Sequence, residues 1–594
     1  MEEQQTAGHF GPAQTSGTGR VNRHRDLRSS VFALILTSVC YLYWSLSGSL
    51  YTYLDNMTVS MVSGGMFGNR FFCQYLHPLL SCLIYGLSRI MPFADVFALL
   101  VHIALFGSVY MLSRIGIGMM GSELPKSREI RDYIFLMLVI LSVLFFAIGM
   151  NLWGVNYTVQ TAAILFAGLV TLSWAGETEA GRGRIAAGTL LIAVGFMIRS
   201  ETALLFIPFI GLELLTGILN GSDRKAALRK ALRCFGAAVL AAAVLLVSRG
   251  IFNSFEPYAS DNRYTEYRTV VEDYPMGPFD PAKGEALGID EATYSLVSGS
   301  WVLLDTERID TETLKGIAEI GGRNAFEYDL RGLLGALREM ARRVRGTDIY
   351  LLVLTVMTVF LSLRNAVTAK SKWLKAEAVL ALLGGFVILL YFTFRGRALF
   401  RVWQTVLLAV DAVLVCNTIH VGRERAQASE KAGLPQALFM LVMCALLYYA
   451  AGQMLAHTVI HPPITPLTSR WNADDSAYAQ TWENDGLYIW SNWYLTIPIH
   501  FADQNKLPTQ RVVDHNIPVG DWTYGQVYFR EFLAERNADN PAAALLERPN
   551  TFLMEGYVDE LTDYLRTVYG GELVPDGEVN GVKAYRAEKG ERNE

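Results

Sequence analysis

The chain has 594 residues, of which 52% are hydrophobic and 18% are charged, and its formal net charge is −5. Apolar side chains in this proportion exceed what a soluble domain of this length can bury, so the composition excludes an ordinary soluble enzyme. It indicates an integral membrane protein, and we expect no nucleic-acid partner.

Apolar runs of about 18 residues recur along the chain, and each is long enough to cross a hydrocarbon core of roughly 30 Å as a helix. Eleven are predicted to span the membrane, at 31–50, 94–113, 132–150, 157–175, 185–199, 202–219, 234–251, 346–363, 376–393, 401–420 and 435–455. The first run is not followed by a small-residue cleavage site, so we predict a retained span after a disordered cytoplasmic tail, residues 1–29. Residues 30–455 form the predicted transmembrane module.

Basic residues are concentrated in alternate connections between these runs. They lie at 20–28, 114–131, 182–184, 224–233, 364–375 and 423–431. Because short basic loops stay in the cytoplasm, the N-terminus is predicted to be cytoplasmic and the C-terminus external. Counting 71–91 as another span would reverse this pattern, so the external loop 51–93 is expected to carry interfacial helices. A second external loop, 252–345, ends in a basic amphipathic pattern suited to the membrane surface.

The last part of the chain, residues 456–594, is predicted to be an external soluble α/β domain. Strand-like runs occur at 486–491, 550–555 and 581–586, and a helical pattern covers 557–569. A proline-rich linker joins this domain to the last span. The predicted fold class is therefore a polytopic α-helical membrane protein with an attached α/β domain.

Asp55 follows the first span, near the depth at which the phosphate of a membrane lipid is found. A carboxylate there could act as the general base for an acceptor that attacks a lipid-phosphate sugar. A hydrated loop aspartate or a helix cap explains the residue equally well. The neighbouring Asn56 is a supporting candidate.

Arginines at predicted external helix ends are the candidates for binding a phosphate. Arg199 lies beside Glu201 between the fifth and sixth spans, and a second group between the ninth and tenth comprises Arg395, Arg397 and Arg401. A guanidinium can bind phosphate oxygens in a bidentate manner, and so many external arginines run against the charge rule. Snorkelling of these side chains to lipid headgroups is the alternative.

Asp411 lies about ten residues into the tenth predicted span, where an ionisable side chain is costly unless it faces a cavity or a partner. It favours a transport function, with Asp411 as the coupling site. A packing role, with a hydrogen bond to Asn417, a serine or a backbone carbonyl, accounts for it equally well.

The order of these features resembles the GT-C superfamily of polytopic glycosyltransferases, which includes protein O-mannosyltransferases and lipid A aminoarabinose transferases. The resemblance depends on Asp55, on His77-Pro78-Leu79 before a second apolar stretch, on the eleven spans and on the external C-terminal domain. It implies Asp55 as the catalytic base, with His77 in a supporting role. The superfamily usually carries two acids in the first loop; Asn56 replaces the second here, so we expect no metal and no other cofactor.

A second resemblance covers most of the chain and is to uncharacterised multi-pass membrane proteins of Clostridia-like Gram-positive bacteria. It rests on Asp55-Asn-Met-Thr-Val-Ser-Met-Val-Ser-Gly-Gly, Tyr267-Arg268, Asp273-Tyr274-Pro275, Gly288-Ile289-Asp290 and Gly520-Asp521-Trp522. Within these segments, Arg268 and Asp273 could line an acceptor groove or form an ion pair inside the loop.

These resemblances imply a plasma-membrane glycosyltransferase that moves a sugar from a polyprenyl-phosphate donor to an extracytoplasmic glycan, lipid or protein. The four arginines at the helix ends would bind the donor phosphate, and membrane lipids would surround the spans. A transporter or flippase of lipid-linked saccharides and a non-enzymatic envelope protein are the alternatives.

Overall fold

The structure, a computed structural model, describes the larger part of the chain. The described residues are 27, 29–39, 41, 54–68, 73–92, 94–121, 156–177, 182–300, 302–346, 349–428, 479–490, 509–518, 525–579 and 581–589. The predicted spans at 132–150 and 435–455 lie outside them, as does nearly all of the predicted tail. Residues 54–57 are described in their backbone only.

Helices form the apolar part of the described chain. The first eight are α1 (Ser29–Val39), α2 (Leu54–Ser63), α3 (Pro78–Ile90), α4 (Val96–Gly121), α5 (Tyr157–Glu177), α6 (Arg182–Ile198), α7 (Ser200–Asn220) and α8 (Arg224–Phe252). A polar segment follows with α9 (Tyr258–Asp273), α10 (Pro281–Leu287), α11 (Glu291–Ser300), α12 (Thr311–Gly321) and α13 (Leu330–Gly346). The apolar series then resumes with α14 (Ile349–Thr368), α15 (Lys372–Phe394) and α16 (Phe400–Ala428).

Within the described residues, six helices are long and apolar enough to cross a membrane: α4, α5, α7, α8, α15 and α16. They coincide with predicted spans, and α6, with 17 residues, coincides with another. These helices confirm the polytopic helical architecture. Helix α3 has only 13 residues, which at 1.5 Å per residue gives about 20 Å and is too short for the hydrocarbon core. The interfacial position of this helix stays a prediction.

Helices α5 and α16 lie at the centre of the bundle, since 89% of the most apolar window of each is buried. Helix α8 is equally apolar, yet only 17% of its window is buried. An apolar helix that exposes most of its surface requires an apolar surrounding, so α8 is suited to face lipid.

Short turns connect the helices at two opposite ends of the bundle. At one end Phe97 and Tyr157, in the first turns of α4 and α5, bring their ring centroids within 6.4 Å, and the N–H of His77 donates to the carbonyl of Met197 at 2.8 Å. Arg199 and the turn between α15 and α16 lie at this same end. The basic segments around 182–184, 224–233 and 364–375 flank turns at the opposite end, as the predicted charge alternation requires.

The C-terminal part contains a five-stranded sheet in the order β2-β1-β3-β5-β4. Its strands are β1 (Leu487–Trp490), β2 (Asn516–Pro518), β3 (Thr551–Met554), β4 (Gly571–Val579) and β5 (Val582–Lys589). Strands β1, β2 and β3 pair in parallel, and β5 pairs antiparallel with β3 and β4. Helices α17 (Ala479–Glu483), α18 (Gln510–His515), α19 (Val527–Ala534), α20 (Pro541–Glu547) and α21 (Val558–Tyr569) accompany the sheet. The three strand-like runs and the helical pattern predicted here are confirmed.

Asp305 joins the long polar segment to this C-terminal sheet domain. Its carboxylate is fully buried and accepts hydrogen bonds from the hydroxyls of Tyr564 at 2.8 Å and Tyr569 at 2.6 Å. The Asn540 side-chain amide donates to it at 3.0 Å. Burial raises the pKa of Tyr569 to about 12, so this hydroxyl remains a donor at physiological pH.

Helix α9 carries a second contact with the C-terminal domain. The Asp261 carboxylate accepts the N–H of Val527 at 2.8 Å, and the Thr265 hydroxyl donates to the Gln74 side-chain oxygen at 2.5 Å. The Gln526 amide donates to that same Gln74 oxygen. Helix α9 thus contacts both the segment around Gln74 and the C-terminal domain.

Replacing Asp305 with Ala is expected to lower the free energy of unfolding by about 3 kcal/mol, because several buried donors lose their acceptor at once. Thermal unfolding of the full chain in detergent measures the loss. Asp280→Ala is the matched control: it removes an exposed helix cap and should cost about 1 kcal/mol. Equal losses in the two variants would contradict the role assigned to Asp305.

Candidate functional site

Arg199 occupies the turn between α6 and α7, where it is the extended N-cap residue of α7. Its guanidinium carbon lies 4.5 Å from the ring centroid of Tyr157 and 5.6 Å from that of Tyr75. A cation between two aromatic faces is held by the negative potential of both rings. The guanidinium is therefore fixed in place at the end of the bundle.

Arg268, in the last turns of α9, approaches Tyr75 as well. Its Nη2 donates to the Tyr75 hydroxyl at 3.3 Å, and its Nη1 pairs with the Glu272 carboxylate at 2.9 Å. The side chains of this ion pair are almost fully buried. Burial raises the pKa of the Tyr75 hydroxyl, although the charges of Arg268 and Arg199 act in the opposite direction. Tyr75 consequently stays protonated among these guanidinium groups.

The turn between α15 and α16 adds two more arginines. Arg397 donates from Nη2 to the Asp273 carboxylate at 2.6 Å, and Arg395 donates from Nη1 to the Asn324 side-chain oxygen at 2.7 Å. Both guanidinium groups lie over the ring of Tyr274, at 4.5 Å for Arg395 and 5.5 Å for Arg397. Glu272 and Asp273 are consecutive residues, so their ion pairs with Arg268 and Arg397 connect the two groups of arginines.

Gly396 makes this turn possible. Its φ of +80° lies in the left-handed region, and a Cβ at this position would come within 2.5 Å of Pro275 Cγ. The chain therefore needs glycine both for the backbone angle and for the close approach to the loop after α9. Arg395 and Arg397, on either side of Gly396, both approach the ring of Tyr274.

We call this cluster the arginine site, defined by Arg199, Arg268, Arg395 and Arg397 with Tyr75, Tyr157 and Tyr274. Donors without an acceptor accumulate at this end of the bundle. In the described part of the chain, Arg395 Nε, Ser200 Oγ and Trp403 Nε1 are buried and have no hydrogen-bond partner. An excess of unsatisfied buried donors is costly unless a ligand with acceptor oxygens occupies the region.

The remaining predicted residues have separate positions. Glu201 pairs with Arg249 of α8 at 2.8 Å. His77 caps α3, accepting the N–H of Leu79 at Nδ1 and donating from Nε2 to the Leu245 carbonyl at 2.9 Å. Burial lowers the pKa of His77, which suits this neutral structural role. Arg401 lies in the first turn of α16, half-buried.

Asp55 and Asn56 lie in the first turn of α2, and their side chains are outside the described residues. Farther along the same helix, the Ser60 hydroxyl donates to the Asp95 carboxylate at 2.7 Å, which also caps α4. Phe97 of α4 contacts Tyr157, the ring beneath Arg199. The helix that carries Asp55 is thus linked to the arginine site through two contacts.

Two expectations about pairs of residues are corrected. Arg268 pairs with Glu272 on the same helix, and Asp273 pairs with Arg397 in the turn after α15. Arg268 and Asp273 therefore do not form the expected ion pair with each other. The Asn417 amide donates to Leu374 and Glu377 rather than to Asp411. Residues six positions apart on a helix face different directions, which prevents the expected bond.

Asp411 itself is fully buried, and neither of its oxygens has a hydrogen-bond partner within the described residues. The neighbouring Thr358 hydroxyl donates to the Leu354 carbonyl.

Also within the described residues, no group of three or more His, Cys, Asp or Glu side chains is arranged to hold a metal ion.

Sequence reasoning missed the tyrosines of the arginine site. Tyrosines are common at the ends of membrane helices, so Tyr75 and Tyr157 carry no distinguishing signal in the sequence. In the sequence, Tyr274 is distinguished only by its place in Asp273-Tyr274-Pro275, one of the segments that carry the second resemblance. The arginines it accompanies were detectable because they oppose the charge rule.

Comparison with known proteins finds no matching family and no matching curated protein. Two crystal structures of ArnT from Cupriavidus metallidurans are similar to this chain, one in the apo state and one bound to undecaprenyl phosphate. The apo structure is 13% identical with a TM-score of 0.39, and the match covers 94% of this chain and 98% of that chain. The bound structure is 12% identical with a TM-score of 0.36, covering 96% and 98%. Similarity at this level assigns no substrate here, and neither structure supports the predicted kinship with Clostridia-like proteins.

Gly396→Ala is expected to destabilise the protein by more than the roughly 1–2 kcal/mol of a left-handed alanine, because the new Cβ also meets Pro275. Gly288→Ala is the matched control, since Gly288 has a φ of +68° but open space around its Cβ position. Thermal unfolding of both variants in detergent separates the two contributions. Equal destabilisation would mean that the approach of Pro275 is unimportant.

Proposed function

We propose that this protein is a membrane glycosyltransferase that transfers a sugar from a polyprenyl-phosphate donor to an acceptor outside the cytoplasm. The observation that carries the proposal is the convergence of four guanidinium groups on a tyrosine-lined site at one end of an apolar bundle. A lipid phosphate would lie at this depth when its hydrocarbon tail is inside the bilayer.

Stacking suits these guanidinium groups to phosphate binding. A guanidinium over an aromatic ring keeps its N–H groups in the plane parallel to the ring, so it can donate to phosphate oxygens while it remains stacked. The guanidinium carbons of Arg199 and Arg395 each lie 4.5 Å from a ring centroid, that of Tyr157 and that of Tyr274 respectively, which is close enough for such stacking. The buried Nε of Arg395 is one donor that a phosphate oxygen would satisfy.

The net positive charge of the arginine site favours binding of the released polyprenyl phosphate over binding of the intact donor. Four arginines face two carboxylates, Glu272 and Asp273, which leaves two positive charges. A sugar-linked polyprenyl phosphate is a diester with one negative charge, whereas the released monoester carries about −1.5 to −2 near pH 7. The site would therefore bind the leaving group more strongly than the donor, which lowers the barrier to its departure.

In the proposed reaction Asp55 takes a proton from the acceptor hydroxyl or amine. The acceptor atom forms a bond to the anomeric carbon as the bond from that carbon to the phosphate oxygen breaks, with inversion of configuration. The contacts between α2, α4 and α5 support Asp55 in this role because they bring its helix next to the arginine site. The segment around α9 and the C-terminal domain would hold the acceptor.

We place the arginine site outside the cytoplasm, in the plasma membrane, with the C-terminal domain on the same side. The basic segments flank the opposite end of the helices, and short basic loops remain cytoplasmic. A membrane transporter of lipid-linked saccharides remains the second candidate, supported by the fully buried Asp411.

Asp55→Asn is expected to reduce transfer from a polyprenyl-phosphate sugar at least about a hundredfold, because the amide cannot accept the acceptor proton. Transfer is measured with radiolabelled donor and the full chain in proteoliposomes. Asp310→Asn is the control: it changes an acid to an amide at an exposed helix cap and should leave activity unaltered.

Unchanged transfer in Asp55→Asn would remove this residue from the mechanism. If label crosses the bilayer while still attached to polyprenyl phosphate, the protein is a flippase and not a transferase. The fate of the sugar-phosphate bond therefore separates the two candidate functions.

Arg397→Met is expected to weaken binding of polyprenyl phosphate about tenfold, since a charged hydrogen bond to phosphate is lost. Asp273→Asn should have the opposite effect and tighten binding severalfold, because it removes the carboxylate that competes with the phosphate for Arg397. Arg263→Met, at an exposed arginine on α9 that pairs with Glu256, is the neutral control. Equal affinity in all three variants would exclude a phosphate site here.

A further inference from the structure

The polar segment between α8 and α14 ends in helix α13, which carries five arginines and one glutamate. None of these residues has a part in the function proposed above. Long loops are exempt from the charge rule that sets membrane topology, so topology does not account for the concentration of arginine in this helix.

The beginning of α13 is fixed beside the end of α15. The N–H groups of Ala325 and Phe326 donate to the carbonyl of Phe394 at 3.0 Å and 3.3 Å. The ring of Tyr328 stacks on that of Phe394, with the centroids 5.5 Å apart. Phe394 is the last residue of α15 and precedes Arg395. The chain therefore enters α13 at the end of the bundle that holds the arginine site.

The other end of α13 leads directly into α14 at the same level. The Ser362 hydroxyl of α14 donates to the Ala378 carbonyl of α15 at 2.7 Å, so these two consecutive helices lie side by side in opposite directions. Helix α14 consequently begins near the level at which α15 ends. With 17 residues, α13 is about 25 Å long, and since both of its ends lie at one level it runs along the end of the bundle rather than through it.

One face of α13 packs against the bundle and an apolar edge remains exposed. Gly332, Ala336 and Met340 recur every four residues and are buried, where α13 contacts α14 and α15. Leu330 and Leu334 lie within about 40° of each other around the helix, yet they are 72% and 56% exposed. Two leucines that are uncovered at the end of an apolar bundle are suited to contact lipid.

A row of exposed arginines adjoins these leucines. Arg331, Arg338 and Arg342 are exposed and fall within about 40° of one another around the helix. Arg342 shares the Glu339 carboxylate with Arg343. In the part of the chain that the structure describes, Arg331 and Arg338 have neither a hydrogen bond nor an ion pair. The row therefore presents positive charge that no residue described on the protein neutralises.

We propose that α13 binds the anionic headgroups of phospholipids in the membrane leaflet at this end of the bundle. The leucine edge enters the boundary of the acyl chains, and the arginines beside it donate to lipid phosphates at the level of the headgroups. An acidic protein would complement the arginines but would leave the leucines without a partner, so a lipid surface fits both rows. Such binding does not require the transferase activity proposed above.

Hydrogen–deuterium exchange, followed by mass spectrometry, measures this binding locally on the full chain in nanodiscs. Discs of phosphatidylcholine alone are compared with discs that also contain phosphatidylglycerol. The anionic lipid is expected to slow exchange of the α13 amides about fivefold or more, the effect of roughly one arginine at an anionic surface, and added salt should reduce the difference. Equal exchange of α13 in both lipids would overturn the proposal and leave an acidic protein as the occupant.

Arg331→Gln combined with Arg338→Gln is expected to abolish most of the slowing by phosphatidylglycerol, because the two arginines without a protein partner are lost. Arg263→Gln combined with Arg566→Gln is the matched control, since it removes two exposed arginines from α9 and α21. It should leave the exchange of α13 unaltered in both lipids. Equal losses in the two double variants would assign the effect to overall charge and not to α13.

Leu330→Ser combined with Leu334→Ser tests the apolar edge. These changes are expected to speed exchange of α13 severalfold in both lipids, because the helix no longer enters the acyl boundary. Leu287→Ser, at an exposed leucine of α10, should not affect α13. If exchange of α13 is the same with serine as with leucine at 330 and 334, the helix does not insert and the proposal fails.

Discussion

The cost of placing charge in a hydrocarbon layer is the constraint on which this structure depends. Charged groups are tolerated at the ends of apolar helices and are expensive within them. Arg199 accordingly occupies the turn between α6 and α7, and Arg395 and Arg397 occupy the turn after α15. The guanidinium groups in these turns meet around a few tyrosines.

The soluble part of the protein is tied to the arginine site by one helix. The first half of α9 holds the C-terminal domain through Asp261 and Thr265, and its last turns hold Arg268 and Asp273. A shift of the domain would therefore change the position of two charged side chains in the site.

The two ends of the bundle differ in their polar groups. At the arginine site guanidinium groups meet around tyrosines, and at the opposite end the buried Glu213 carboxyl group accepts from Ser173 and His420. Helices α5, α7, α15 and α16 contribute to both ends.

Local sequence determined the elements that depend on local physics. Hydropathy predicted the helices later found at α4, α5, α7, α8, α15 and α16, because each must be apolar along its own length. Short strand-like runs predicted β1, β3 and β5, since these runs too are properties of single segments. Arg199, Arg395 and Arg397 were identifiable as candidates since a guanidinium at an external helix end violates a rule that applies residue by residue.

Tertiary structure alone decided which side chains meet. Arg397 and Asp273 are 124 positions apart in the chain, and nothing local to either residue specifies the other. The same holds for Glu213 and His420, which are 207 positions apart and share a hydrogen bond in the bundle. Such pairings depend on how helices rotate and pack against one another, a property of the whole bundle, whereas hydropathy and periodicity are properties of single segments.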